Sequence, residues 1–413
     1  MSVAPFPREQ TPGQPHPGYP APVPHNDHQR ERPVRVLIVC DHIGYGHALH
    51  GAGRMMVEMT MGFDPRRVEV TSCVLRDAGE LGRRLNAEGV PLAFLGAHRF
   101  SPFPLRRIVQ LAREKKIDVI HVTDFQADTL GRLAGMITGI PVIVHVRTHH
   151  SKYQKRPYPW YMERINHLLA PSTALAIANS DSLRDFAIER MGFSPNQVVT
   201  VHNPVSTYTM KPVKPDEVDR LRSELGLQGV WPVIGAVTRF YPAKGITYLV
   251  GAFPRVLERF PDARLVLVGD GPLGEELKTQ ARELGIERSV IFTGFRADAE
   301  AFVQLFTLSA VPSLEEGIGN VAIESIVGGV PVVASREGGL PEVVIEGRSG
   351  LLVTPGDSEL LAAALLRGLE EPFLLDRLRQ GCRDEAHRFS IQTYTTRLEQ
   401  LYRQAAARTH RTA

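Results

Sequence analysis

Two acidic residues bracket a glycine turn in Pro312-Ser-Leu-Glu-Glu-Gly-Ile-Gly-Asn-Val-Ala-Ile-Glu324. Gly317 and Gly319 let the backbone turn tightly and approach a ligand, after which Asn320 can begin a helix whose free N–H groups face the turn. Such an end attracts anions. Glu324 follows Gly319 by five positions, a little more than one helical turn, so its carboxylate can accept hydrogen bonds from hydroxyls near the same end. Glu316 precedes the turn and can face the same cavity. Alone, the stretch reads equally as a solvated acidic loop before a core helix.

A second stretch supplies the opposite charge. In Thr238-Arg-Phe-Tyr-Pro-Ala-Lys-Gly245, Arg239 offers a planar fork and Lys244 a compact point charge, and Gly245 leads into a helix. A diphosphate suits that pair. Val268-Gly-Asp-Gly-Pro272 and the turn Phe292-Thr-Gly-Phe-Arg296, with Gly294 and Arg296, are two further tight turns at strand ends. His145, His149 and His150 fall within six residues at the end of another strand, where imidazoles serve catalysis as readily as structure.

These residues need a scaffold that brings strand ends together. Val34-Arg-Val-Leu-Ile-Val-Cys40 is a nearly continuous apolar run, the signature of a strand buried on both faces of a parallel sheet. Strands follow near 68–75, 91–95, 119–122, 141–146, 175–178 and 198–201, mostly separated by helical stretches. That alternation predicts a doubly wound α/β domain. Val201-His-Asn-Pro-Val205 and Lys211-Pro-Val-Lys-Pro215 read as a linker, because proline breaks regular elements. A second α/β half has strands near 233–237, 264–268, 290–292, 308–311, 331–334 and 351–353, and is helical after 360. Residues 1–33, rich in Pro, Gly, Gln and His, predict a disordered arm.

Length and composition bound the rest. A chain of 413 residues suggests two or three domains, and 43% hydrophobic with 23% charged residues is ordinary for a globular protein. A formal net charge of +3 argues against nucleic-acid binding as the main role. Cys40, Cys73 and Cys382 are widely spaced, which fits a reducing cytoplasm and no zinc or disulfide framework. No apolar run is long enough to span a bilayer, and no signal-peptide core is seen near Met1, so membrane contact would be peripheral, on the inner face. Lys152-Tyr-Gln-Lys-Arg-Pro-Tyr-Pro-Trp-Tyr161 mixes cations and aromatics suited either to an anionic headgroup or to a solvated loop.

Taken together, Arg239 with Lys244-Gly245, Val268-Gly-Asp-Gly-Pro272, Gly294, Pro312-Ser313, Glu316-Gly-Ile-Gly319 with Glu324, and Gly328 through Ser335 with Gly338-Gly339-x-Pro-Glu342 resemble family-four retaining glycosyltransferases of the GT-B fold. The resemblance spans about 34–400, most specific in the second half. It implies two Rossmann-like domains facing each other across a cleft: 34–205 for the acceptor and 206–385 for a nucleotide-sugar donor, with a helix and polar tail over 386–413 that return to the first domain. By that resemblance Arg239 and Lys244 neutralise the donor diphosphate, and Glu324 holds the ribose hydroxyls. Glu316 touches the sugar and the reacting centre. The backbone of Gly317, Ile318, Gly319 and Asn320 cradles sugar and phosphate, and the turn from Gly294 to Arg296 meets the base.

Two positions depart from the family pattern. The expected catalytic histidine, counted from Pro141, falls on Arg147, flanked by His145 and His149. Gly53, in Gly51-Ala-Gly53, is the nearest match to a Gly-Gly pair by the donor phosphates. No D-x-D pair stands where a metal would be held, so the expected cofactor set is empty. The resemblance thus implies retaining, metal-independent transfer of a sugar to an acceptor hydroxyl on a glycolipid, polysaccharide or small glycoside. The alternatives are a GT-B epimerase or hydrolase, or a non-catalytic nucleotide-sugar-binding protein.

Overall fold

The computed structural model describes residues 32–45, 48–49, 51–76, 79–87, 90, 92–96, 103–148, 158–205 and 213–409. Residues 33–413 cluster as one compact unit. The proline-rich arm falls outside the described residues up to position 31, as do His149 and His150.

In the first half the strands are β1 (Val34–Cys40), β2 (Gly44–Tyr45), β3 (Ala48–Leu49), β4 (Val68–Val74), β5 (Leu92–Phe94), β6 (Val119–Thr123), β7 (Val142–Val146), β8 (Leu175–Ala178) and β9 (Val198–Thr200). In the second they are β10 (Val233–Val237), β11 (Arg264–Val268), β12 (Val290–Gly294), β13 (Leu308–Val311), β14 (Val332–Ser335) and β15 (Gly350–Val353). Seven strands form a sheet in the order β5-β4-β1-β6-β7-β8-β9, and six form another in the order β12-β11-β10-β13-β14-β15. Every pairing within the two sheets is parallel. In each sheet the chain starts centrally, runs to one edge, then returns past its start. The order therefore reverses between β1 and β6 and between β10 and β13, and a ligand crevice opens at such a point.

The β1 sequence shows why the sheet is buried on both faces. Val36, Ile38 and Cys40 join one apolar cluster, while Leu37 and Val39 join another on the opposite face. Side chains alternate across a strand, so an unbroken apolar run needs cover on each side. In the second half, Leu265 and Leu267 of β11 likewise lie in one cluster while Val266 and Val268 lie in another.

The last helix, Ile391–Thr409, returns to the first sheet. Tyr394, Leu398, Leu401, Tyr402 and Ala405 recur at helical spacing and are buried in the same cluster as Val36 and Ile38. Burying each large apolar side chain contributes about 1.5–3 kcal/mol, so the C-terminal segment is an integral part of the first core.

Candidate active site

Because every strand in a sheet runs the same way, each sheet gathers its strand-end loops along one edge. Those two edges meet. A Cβ built at Gly317, in the loop after β13, would sit 3.4 Å from the Arg147 carbonyl oxygen, just beyond β7. One at Gly339, beyond β14, would come within 2.7 Å of Ser180 Cβ, beyond β8. Polar contacts tie the same edges. The Glu342 carboxylate accepts from the Asp181 backbone N–H at 2.8 Å and lies 2.8 Å from His202 Nε2. Asn203 Nδ2 donates to Asn320 Oδ1 at 2.9 Å.

The switch point of the second sheet is where the charged residues converge. Lys244 follows β10 and Glu316 follows β13, and Lys244 Nζ lies 2.7 Å from Glu316 Oε2. Ser313 Oγ donates to the same oxygen at 3.1 Å. The backbone makes this approach possible. Gly245 has φ 62°, and any side chain there would stand 2.0 Å from the Pro312 carbonyl oxygen. Leu314 N–H donates to Ala243 O at 2.8 Å, locking the two loops together. Arg239 is exposed on the loop that carries Lys244, with its guanidinium 5.2 Å from the Tyr241 ring centroid.

Behind Glu316, the helix Asn320–Val327 starts at Gly319, whose φ is 84°. Ala322 N–H and Ile323 N–H donate to the Gly319 carbonyl at 2.9 and 3.2 Å, and the Asn320 and Val321 amides ahead of them stand at the open helix start, next to the preceding turn. Glu324 lies half-buried on this helix, one turn in. Gly338, at φ 55°, closes the turn from below: a Cβ there would stand 1.8 Å from the Glu316 carbonyl oxygen. The arrangement can bind an anion against two cations and a helix end, with carboxylates beside it for hydroxyl groups.

Lys244, Glu316, Gly317, Ile318, Gly319, Asn320 and Glu324 lie on the two loops and the helix start of this switch point, and Arg239 is exposed on the loop that carries Lys244. Of the remaining expected residues His149 lies outside the described residues, and Arg296 and His145 have partners elsewhere. Arg296 forms a bidentate pair with Asp298, both contacts at 2.9 Å, and reaches Glu224 at 2.7 Å, so its guanidinium is engaged within its own half. Gly294 at φ 70° has nothing within 4 Å of a built Cβ, leaving its turn open to a ligand. Gly53 is explained by packing: its Cβ would fall 1.8 Å from the Ile43 carbonyl oxygen.

His145 is buried with both ring nitrogens in contact inside the first half. Its Nε2 lies 2.8 Å from Asn179 Oδ1 and its Nδ1 3.1 Å from His121 Nε2. Burial, then the Arg147 cation, pushes its imidazole well below the ordinary histidine range. At the first-sheet switch point, burial and then the Asp124 charge push Asp41 up to about 7. Asp41 Oδ1 still accepts from Ala127 N–H at 2.7 Å, at the start of the helix Phe125–Thr138.

Sequence reasoning named Ser313 only as part of a motif and gave Arg147 no role at this edge, and it missed Asn203 altogether. Asn203 lies in what reads as a linker, and its partner is 117 positions away, so no local pattern announces it. Arg147 was reachable only by counting from Pro141.

Two facing doubly wound sheets with this site between them define a GT-B glycosyltransferase. Residues 49–208 match the model described as Glycosyltransferase Family 4, and residues 231–371 match that of Glycosyl transferases group 1. A D-inositol 3-phosphate glycosyltransferase of Corynebacterium aurimucosum is 30% identical over 306 residues, covering 71% of this chain and 73% of that one. A GDP-mannose-dependent alpha-(1-6)-phosphatidylinositol monomannoside mannosyltransferase of Mycolicibacterium smegmatis is 35% identical over 167 residues, 38% of this chain and 44% of that one. Among solved structures, Anabaena HepE in complex with UDP aligns with a TM-score of 0.75 at 25% identity, covering 89% of this chain and 99% of that one. The chain belongs to the family-four glycosyltransferases of the GT-B fold. Among the described residues, no helix is long and apolar enough to cross a membrane.

Proposed function

We propose that this enzyme moves a sugar from a nucleoside diphosphate sugar to an acceptor hydroxyl, with retention of anomeric configuration and with protein cations doing the work of a metal. The observation that carries the reading is the Lys244–Glu316 ion pair at the second switch point, with Arg239 exposed on the Lys244 loop and a helix start after Glu316. In the reaction the bond from the anomeric carbon to the diphosphate oxygen breaks and its electron pair stays on that oxygen. Arg239, Lys244 and the helix amides stabilise the charge that develops there. The acceptor oxygen bonds to the anomeric carbon from the same face, and its proton passes to the departing phosphate oxygen.

Glu324 holds the ribose hydroxyls, and Glu316 meets the sugar after exchanging part of its contact with Lys244 for the donor. The open turn at Gly294 meets the base through its backbone, since the Arg296 guanidinium is held by Asp298 and Glu224. Of the two candidate histidines, His149 is assigned to the acceptor side, because the nitrogens of His145 are occupied. The diphosphate clamp does not read the base, in keeping with relatives whose names specify GDP-mannose in one case and UDP in another. The names of the inositol relatives support a carbohydrate or lipid-linked acceptor.

A lipid-linked acceptor would bring the enzyme to an anionic bilayer. The helix Trp160–Leu169 supports this reading: it turns Trp160, 72% exposed, and Leu168, 78% exposed, outward, with the Arg164 guanidinium 5.9 Å from the Trp160 ring. Aromatic and cationic side chains together favour a headgroup interface. The donor reading is tested by thermal shift with UDP-, GDP- and ADP-sugars, with and without EDTA. One nucleotide series should stabilise the enzyme equally in both conditions. Stabilisation that requires added magnesium would refute the metal-independent part.

A further inference from the structure

A buried line of hydrogen bonds runs from the C-terminal helix to the cleft edge of the first half. Tyr402 Oη lies 2.7 Å from His121 Nδ1, His121 Nε2 lies 3.1 Å from His145 Nδ1, and His145 Nε2 lies 2.8 Å from Asn179 Oδ1. Arg147 Nη2 approaches the same His145 Nδ1 at 3.5 Å. All four members of the line are at most 2% exposed.

The partners determine where the protons sit. A guanidinium only donates, so His145 Nδ1 must accept. His145 Nε2–H then donates to Asn179 Oδ1. His121 must likewise present Nε2–H to His145, which leaves its own Nδ1 to accept from the Tyr402 hydroxyl. Burial keeps both rings neutral, with His121 pushed down to about 3 and His145 also well below its ordinary range. Every link then runs in one direction, from Tyr402 to Asn179.

The far end of the line lies where the two halves touch. Asn179 directly precedes Ser180, which abuts Gly339, and the Arg147 carbonyl abuts Gly317. We propose that Tyr402 is a positioning residue for glycosyl transfer: through His121 and His145 it holds Asn179 and Arg147, and with them the first-half wall against the Gly317 turn. The inference rests on the proposed role of that turn as the donor-sugar platform. It gives the last helix a task in the site through His121, from which Tyr402 is 281 positions away in sequence.

Tyr402→Phe removes the hydroxyl and keeps the ring beside Phe63, whose centroid is 5.8 Å away. The expected result is a kcat lower by roughly 10- to 100-fold, the scale of a small misplacement at a reacting centre. Donor KM should stay within about twofold, because the donor cations are untouched. His121→Gln, which keeps an amide donor toward His145, should retain more turnover than His121→Leu at equal melting temperature. Imidazole ¹⁵N–¹H spectra of the wild type at pH 7 should show both His121 and His145 as Nε2–H tautomers. An Nδ1–H tautomer at either histidine overturns the relay. Unchanged kcat in Tyr402→Phe overturns the positioning role. If Lys244→Ala still abolishes turnover in that case, the donor-site reading survives; if Lys244→Ala is also silent, that reading fails as well.

Discussion

Lys244 and Glu316 meet at 2.7 Å across the one point in the second sheet where strand order reverses. One follows β10 and the other β13, neighbouring strands whose loops are also joined by the Leu314 N–H to Ala243 O bond. The pair is partly buried, with 24% and 15% of the side chains exposed, so it is screened less than a surface ion pair. Glu316→Gln keeps the shape of the side chain and removes its charge. Turnover should fall roughly 10²-fold while nucleotide affinity changes little, because the cations remain. Steady-state kinetics alongside a nucleotide titration separates the two effects.

Gly338→Ala should damage the site from below. A positive φ costs an alanine about 1–2 kcal/mol, and here the new methyl also meets the Glu316 carbonyl oxygen at 1.8 Å. Gly347 has φ 69° with nothing within 4 Å of its Cβ, so Gly347→Ala isolates the dihedral cost. Denaturant unfolding should show Gly338→Ala as the more destabilised variant, and only it should lose activity.

Stability should respond to pH through buried groups that oppose one another, His121 and Asp41 among them. The His121 imidazole is pushed down to about 3 by burial, then by Arg147, so its contribution is full above about pH 6.5 and is lost as pH falls toward 3. Asp41, raised to about 7 mainly by burial, holds a proton in the folded state that the unfolded chain releases near pH 4, so it lowers stability as pH rises toward 7. Each group changes the slope by at most about 1.4 kcal/mol per pH unit. Between about pH 4 and 6.5, His121→Gln should flatten the acid-side loss of stability and Asp41→Asn should steepen it, as read by urea unfolding.

The two halves and their strands were legible because buried parallel strands leave unbroken apolar runs such as Val34–Cys40. The approach of the Lys244 and Glu316 loops was legible for a related reason. The loops are short, and their glycines and charges are contiguous in sequence, as in Glu316 to Glu324. What could not be read was pairing at a distance. His145 stands two residues from Arg147 in the sequence and looked available to substrate, yet His121 of β6 and Asn179 occupy its ring nitrogens. Arg296 likewise gave no local sign of its pairing with Glu224, 72 positions away.

The outward face of Trp160–Leu169 leads to a binding prediction. The wild type should co-sediment with vesicles rich in phosphatidylglycerol at low salt, and the double variant Trp160→Ala, Leu168→Asp should not. Absence of wild-type binding at low salt would remove the membrane from the account.

Arg239 and Lys244 are proposed to hold the diphosphate of a nucleotide-sugar donor. Calorimetric titration of UDP, GDP and their parent nucleosides into the wild type and the Arg239→Ala, Lys244→Ala double variant tests it most directly. One diphosphate should bind the wild type far more tightly than its nucleoside, and the double variant should lose roughly 100-fold or more in affinity, as two charge-assisted contacts of about 1.5–3 kcal/mol each require. Equal diphosphate affinity in the two proteins would contradict the assignment.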